Sequence, residues 1–188
     1  MDLKDIIKDE YKRCAQDPVY FLKKYCMIQH PQRGRLNFIL YKFQERVLED
    51  LRSCDYNIIL KSRQLGISTL TACYALWLML FYSDKNILVI ATTQDVAKNI
   101  VLKVRYAFDY LPSWLKIECV ESNKLSLRFA NGSQIKAESS ATTSGRSEAG
   151  SLLILDECLR FSSYIYIRSK KTGEVQKISI GDLYEQTK

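Results

Sequence analysis

Apolar residues three and four apart, Ile6, Ile7, Tyr11 and Cys14, predict a helix at the N-terminus. Asp17-Pro18 predicts a second start, because Asp caps a helix and Pro fits its first turn; Val19, Phe21, Leu22 and Tyr25 supply the apolar face. On this pattern residues 1–30 are helical, and His30, the only histidine, belongs to a loop with Pro31. An amphipathic helix follows over 44–53, and then the β-branched and apolar run Ile58, Ile59, Leu60 reads as a short buried strand. A helix beginning near Ser68 is apolar from 70 to 82. NILVIAT at 86–92 reads as a second buried strand, and Val96, Ile100, Val104, Phe108 and Leu111 recur at helical spacing until Pro112 closes the helix. Residues 125–130 and 134–137 alternate around Asn131-Gly132, a strong hairpin signal that predicts an antiparallel addition to the sheet. LLILDE at 152–157 is one more apolar strand, entered from a polar stretch of small residues at 139–150 that carries Arg146. Strands alternating with helices imply an α/β fold whose parallel sheet is covered on both faces.

Composition narrows this picture modestly. The 188 residues allow one domain, or one domain and a small appendage, and an apolar fraction of 47% can form a core. The six cysteines, Cys14, Cys26, Cys54, Cys73, Cys119 and Cys158, make no C-x-x-C pair and suit a reducing compartment better than a disulfide framework. The N-terminus mixes charges instead of opening on a signal-like apolar run, and the apolar stretch at 70–82 is about half of a bilayer span. No membrane association is expected. Residues 1–157 hold 22 Lys and Arg against 18 Asp and Glu, whereas 158–188 hold 6 against 3. The body is therefore only mildly basic, which argues against strong duplex binding by charge alone, and the tail differs from it in character.

Chemistry concentrates in NIILKSRQLGIST at 57–69. A strand feeding a glycine-containing turn and then a helix is the layout of a phosphate-binding loop, in which backbone amides cradle phosphate, a lysine reaches its oxygens and a hydroxyl binds Mg²⁺. Gly66 and Ser68 stand in register with the pattern G-x-x-x-x-G-K-[ST], but Ile67 takes the lysine position and Lys61 that of the first glycine. The candidate ATP-binding set is Lys61, Ser62, Arg63, Gln64, Leu65, Gly66, Ile67, Ser68 and Thr69. Lys61 and Arg63 can contact phosphate, and Arg63 can instead stabilise transition-state charge. Upstream, Phe43-Gln44 pairs an aromatic ring with an amide able both to donate to and to accept from an adenine edge. Downstream, Asp156 and Glu157 end an apolar strand as a Walker B pair does: Asp156, with Ser68, to hold Mg²⁺, and Glu157 to polarise water.

These segments together resemble the tailed-phage terminase large subunit, the motor that drives viral DNA into a preformed capsid. The resemblance covers residues 1–157 through DPVYFLKKYCMIQHPQRG, LYKFQ, KSRQLGIST, ATTQDVAKNI, TTSGRSEAG and LLILDE. It implies a P-loop NTPase-type parallel sheet flanked by helices, present in part, with Lys61 as a displaced phosphate-binding lysine, Gln44 in the adenine-binding motif and Glu157 as the catalytic carboxylate. ATP and Mg²⁺ are the implied cofactors, and double-stranded DNA, the portal and the small terminase subunit are the implied partners, in the host cytoplasm. From Cys158 the text changes to CLRFSSYIYIRSKKTGEVQKISIGDLYEQTK, which resembles the N-terminal fragment of an intein, a β-rich, Hint-type self-excising element. Ser162-Ser163 replace the Asp-Thr that many inteins carry. A cysteine leading such a fragment can attack the preceding carbonyl and turn the Glu157-Cys158 amide into a thioester. Its 31 residues cannot bury a core alone, so the resemblance implies a complementary C-terminal intein-terminase polypeptide as partner. The expected division is 1–157 as extein and 158–188 as split-intein fragment. The competing expectation is a truncated terminase P-loop ATPase fragment without splicing, with Cys158 a buried thiol.

Overall fold

The computed structural model describes residues 2–139, 150–156, 162–168 and 173–186. The chain divides into two compact units, Met1–Asp156 and Glu157–Lys188.

In the first unit, α1 (Leu3–Gln16) and α2 (Pro18–Tyr25) meet at Asp17, whose carboxylate accepts from the Tyr20 amide as the pattern predicts. The helical reading of 1–30 ends too late. Cys26 closes α2, and Met27–His30 (β1) pairs antiparallel with Gly34–Asn37 (β2). His30 caps that hairpin's turn, its Nδ1 accepting from the amides of Gln32 and Arg33, both at 3.2 Å. Next come α3 (Lys42–Ser53) and α4 (Ile67–Phe81); α4 is apolar nearly all round and buried from Ile67 through Leu80 on most of its surface. Its Trp77 Nε1 donates to the Cys14 carbonyl at 2.8 Å and so ties the α1 terminus to the core.

The main sheet runs in the order β4 (Cys119–Ser122), β5 (Ser126–Phe129), β6 (Gln134–Ser139), β3 (Asn86–Ala91), β7 (Leu152–Asp156). β3 pairs parallel with both β6 and β7, while β4, β5 and β6 form an antiparallel meander. The sheet is therefore mixed. The hairpin at Asn131-Gly132 forms as expected, with Gly132 at φ +83°, but its second strand lies inside the sheet rather than beside it. β4 is exposed along its length and carries no apolar alternation, which is why pattern alone misses it.

Two expectations are corrected by the sheet. Residues 58–60 do not form a strand among the described residues, although Ile59 still packs on the core. Among the described residues of this unit, the buried cluster shared with helices also lies on one face of the sheet. Ile87, Val89 and Ala91 of β3, Ile135 and Ala137 of β6 and Ile154 of β7 are buried in one cluster with α4 and with α5 (Gln94–Asp109). The intervening residues of the same strands point the other way, and there Leu153 and Leu155 are 54% and 56% exposed. The parity of β strands makes this a statement about faces: in register, Leu88 stands opposite Leu153, and Ile90 opposite Leu155.

In the second unit, β8 (Tyr164–Arg168) and β9 (Val175–Ser179) form an antiparallel hairpin entered by Gly173 at φ +75°. The ISIGDLYE segment turns directly from β9 into α6 (Ile180–Gln186). Ser179 manages the turn: its Oγ accepts from the Asp182 amide at 3.0 Å and donates to Asp182 Oδ2 at 2.7 Å.

Candidate nucleotide site

The site is built where α4 begins. Gly66 sits at the helix N-cap with φ +71°, a left-handed conformation that glycine adopts without the clash a Cβ introduces. Gln64, two residues before, is also left-handed at φ +64°. Two left-handed residues in three fold the chain tightly into the helix, whose first-turn amides have no acceptor within a helix. Ile67 is buried, 6% exposed. The position where the standard loop carries its lysine therefore faces the core, and a cation for this site has to come from elsewhere.

Lys61 stands beside the start of α4. Asp156 ends β7 with the same parity as Ile154, so its carboxylate points to the helix-covered side, towards the start of α4. Ser68 Oγ donates to Asp156 Oδ2 at 2.8 Å, and Lys61 Nζ lies 3.7 Å from Asp156 Oδ1. Both ends of that ion pair are mostly shielded, with Lys61 26% and Asp156 14% exposed. The structure thus brings together three residues singled out in the sequence, and a groove of about 170 Å³ lined by Lys61, Ser68, Thr71 and Asp156 adjoins them.

Gln44 is almost completely buried, 1% exposed. Its amide accepts from the Tyr41 backbone N–H at 3.0 Å and donates to the Leu65 carbonyl at 3.0 Å, tying the first turn of α3 to the loop. A Cβ placed on Gly66 would lie 3.0 Å from Gln44 Nε2, so the loop and the amide are packed in contact. Phe43 stacks on Tyr41, centroids 5.7 Å apart and planes 8° from parallel, and both rings remain partly open to solvent. Sequence reasoning missed Tyr41. Its signal was present, since a residue three before Gln is where a capping-box amide reaches back.

The remaining candidates are dispersed. Ser62, Arg63, Gln64 and Leu65 are exposed on the loop. Thr69 turns away and lines a separate groove with Cys73, Asn99 and Tyr106. Glu157, Cys158 and Arg146 lie outside the described residues.

The family model for the N-terminal region of the terminase large subunit of T4-like viruses matches residues 58–172, from the run before the loop through Asp156 and beyond. The chain belongs to that family. A terminase also matches in three dimensions: the crystal structure of the HK97 bacteriophage large terminase superposes with a TM-score of 0.63 at 19% sequence identity, over 79% of this chain. The match spans 32% of the HK97 chain, less than a third of its length. At that identity the likeness is one of fold, and this terminase region shares the mixed α/β architecture.

Proposed function

We propose that the chain is the precursor of a phage terminase large subunit, the ATP-driven DNA-packaging motor, matured by protein trans-splicing. The observation that carries the nucleotide half of this reading is the hydrogen bond from Ser68 to Asp156, which joins the loop to the end of β7 across 88 positions of sequence. A hydroxyl and a carboxylate oxygen converging at a helix N-terminus suit a small hard cation, so Ser68 and Asp156 fit Mg²⁺. Lys61, now neutralising Asp156, is the residue that would turn to phosphate oxygens, with the Gly66 turn and first-turn amides of α4 around them. Tyr41 and Phe43 would stack on a base, and Gln44 would hold the loop in place behind them while belonging to the adenine-binding motif. Bound Mg²⁺ would neutralise phosphate charge. Glu157 would orient the attacking water and Arg63 would meet developing charge on phosphate. The ligated protein would act on double-stranded DNA in the host cytoplasm, with the portal and the small terminase subunit; no described helix is long and apolar enough to cross a membrane.

The splicing half rests on Cys158. Its sulfur attacks the Glu157 carbonyl carbon, the C–N bond breaks, the acyl group passes to sulfur and the released Cys158 α-amine takes up a proton. The resulting thioester is then open to the partner's nucleophile. The reading is supported by the division into compact units between Asp156 and Glu157, and by a tail whose hairpin ends in the serine-capped turn at Ser179. The family match continues past Glu157 to residue 172, so the junction rests on its own residues and not on where the match ends. Mixing the chain with its complementary polypeptide tests it directly. Mass spectrometry should find a product that carries residues 1–157 and has lost 158–188, and Cys158→Ala should abolish it. No product from either chain would leave the unspliced terminase fragment as the answer.

A further inference from the structure

The larger groove in the first unit, about 680 Å³, lies away from the phosphate loop, on the face of the sheet that α4 and α5 leave uncovered. Its apolar lining is Ile58, Leu88, Leu153 and Leu155, with Asp55, Lys136 and Glu138 among the polar residues around it. Leu153 and Leu155 are each more than half exposed, and Ile58 is 65% exposed. Inward Ile59 between outward Ile58 and Leu60 shows the two-residue alternation of a strand, yet among the described residues the segment has no ladder pairing, beside the edge strand β7. Both features describe the same deficit. A parallel αβ sheet is stable when both faces are covered, and two leucines of β7 that are more than half exposed, with the half-buried Leu88 in register beside Leu153, form a patch that water solvates poorly.

We infer that this face is a docking surface for the portion of a terminase large subunit that the chain does not span, and that the two pieces associate through it before any covalent joining. That the occupant arrives on a second polypeptide rests on the splicing reading; that it is terminase sequence rests on the match extending over less than a third of the HK97 protein. The occupant's helices would cover Leu88, Leu153 and Leu155, and its neighbouring strand would bring residues 58–60 into the sheet. Two carboxylates, Asp55 and Glu138, against the single cation Lys136 around the apolar centre favour a folded protein surface over nucleic acid.

The test uses the full chain with Cys158→Ala, so that no ligation occurs, mixed with the polypeptide from the same viral genome that carries the complementary intein half and the rest of the terminase. Hydrogen exchange should show new protection at 55–60 and 152–156 on mixing. Leu153→Lys with Leu155→Lys, both on solvent-facing positions, should remove that protection and weaken association at least about tenfold, as loss of central apolar anchors does. Circular dichroism of the variant alone should match the parent. Protection confined to 158–188, or association unchanged by the leucine variants, overturns the docking surface and leaves splicing intact. Protection at the sheet face without any spliced product from the wild-type pair overturns splicing and leaves the surface. A genome with no such polypeptide overturns both, and self-association of this chain through the same leucines assigns the face to a second copy and overturns the inference.

Discussion

Gln44 shows how one side chain fixes a loop that has no regular structure of its own. It closes the N-terminus of α3 with its oxygen and holds the Leu65 carbonyl with its nitrogen, in a place with almost no access to water. Gln44→Leu keeps the volume but leaves the Tyr41 amide and the Leu65 carbonyl without their partner, at about 1–3 kcal/mol for each group left buried and unsatisfied. The expected outcome is a lower melting temperature together with faster amide exchange over 61–66, and unchanged exchange there would refute this role. Gly66→Ala acts on the same contact from the other side: the residue is left-handed and its new Cβ meets Gln44 Nε2 at 3.0 Å. The conformational term alone is about 1–2 kcal/mol, and nucleotide affinity should fall with stability. The sequence made Gly66 and Ser68 legible through their spacing. It could not make Gln44's second role legible, because a contact between residues 44 and 65 leaves no periodic trace.

Among the elements, the corner between α1 and α2 carries the most charged chemistry in the fold. Glu10 Oε1 accepts from Tyr20 Oη, Lys24 Nζ and Tyr25 Oη, each at 2.7 Å. The Lys24 hydrogen bond foremost, with those of the two tyrosines, holds the Glu10 carboxyl down at about 2 from an ordinary 4.5, against the opposing effect of desolvation. Lys24 is raised in return, chiefly by the same bond to Glu10. Because the folded form holds its proton less tightly than the unfolded chain, Glu10 contributes its full stabilisation above about pH 4.5, and the contribution disappears as pH falls towards 2. Glu10→Gln should lower stability at neutral pH and flatten the acid limb between those values, measured by urea denaturation at a series of pH values. An acid limb identical to the parent's would place the titration elsewhere. Nearby, burial raises the Cys14 thiol to about 12, and Cys26 is raised by burial and by its contact with Cys73. Cys14, Cys26 and Cys73, all buried, should resist alkylation in the native protein while Cys54 and Cys119, both exposed, react.

At the scale of the whole molecule, the sequence was legible where periodicity reports burial and illegible where partners are missing. α2, α4, α5 and the β5–β6 hairpin stand where the pattern puts them, because each buries a regular apolar face. β1, β2 and β4 were missed, each being four residues long with no fully buried residue, so that their stability comes from neighbours and not from their own alternation. Among the described residues of the first unit, 58–60 have the composition of a strand without the pairing of one, and the sheet buries one face against helices. On the proposed function, a nucleotide site assembled to this extent should turn over little ATP as it stands. Colorimetric phosphate release from the unspliced chain should sit near background and remain unaltered by Lys61→Ala, whereas vigorous hydrolysis lost on that substitution would mean that the site is already complete.

The bond between Ser68 and Asp156 also imposes a timetable. Its serine leaves the ribosome 88 residues before its carboxylate, a lag of roughly 4–18 s at ordinary rates of elongation. For most of that interval α4, greasy on nearly every side, has already emerged while β7 has not. The nascent chain must therefore shelter its most insoluble helix with α1, α2 and α3, already made, and with β3, α5 and the hairpin as they follow, and the loop before α4 acquires its acidic partner only as the last described strand of the unit is born.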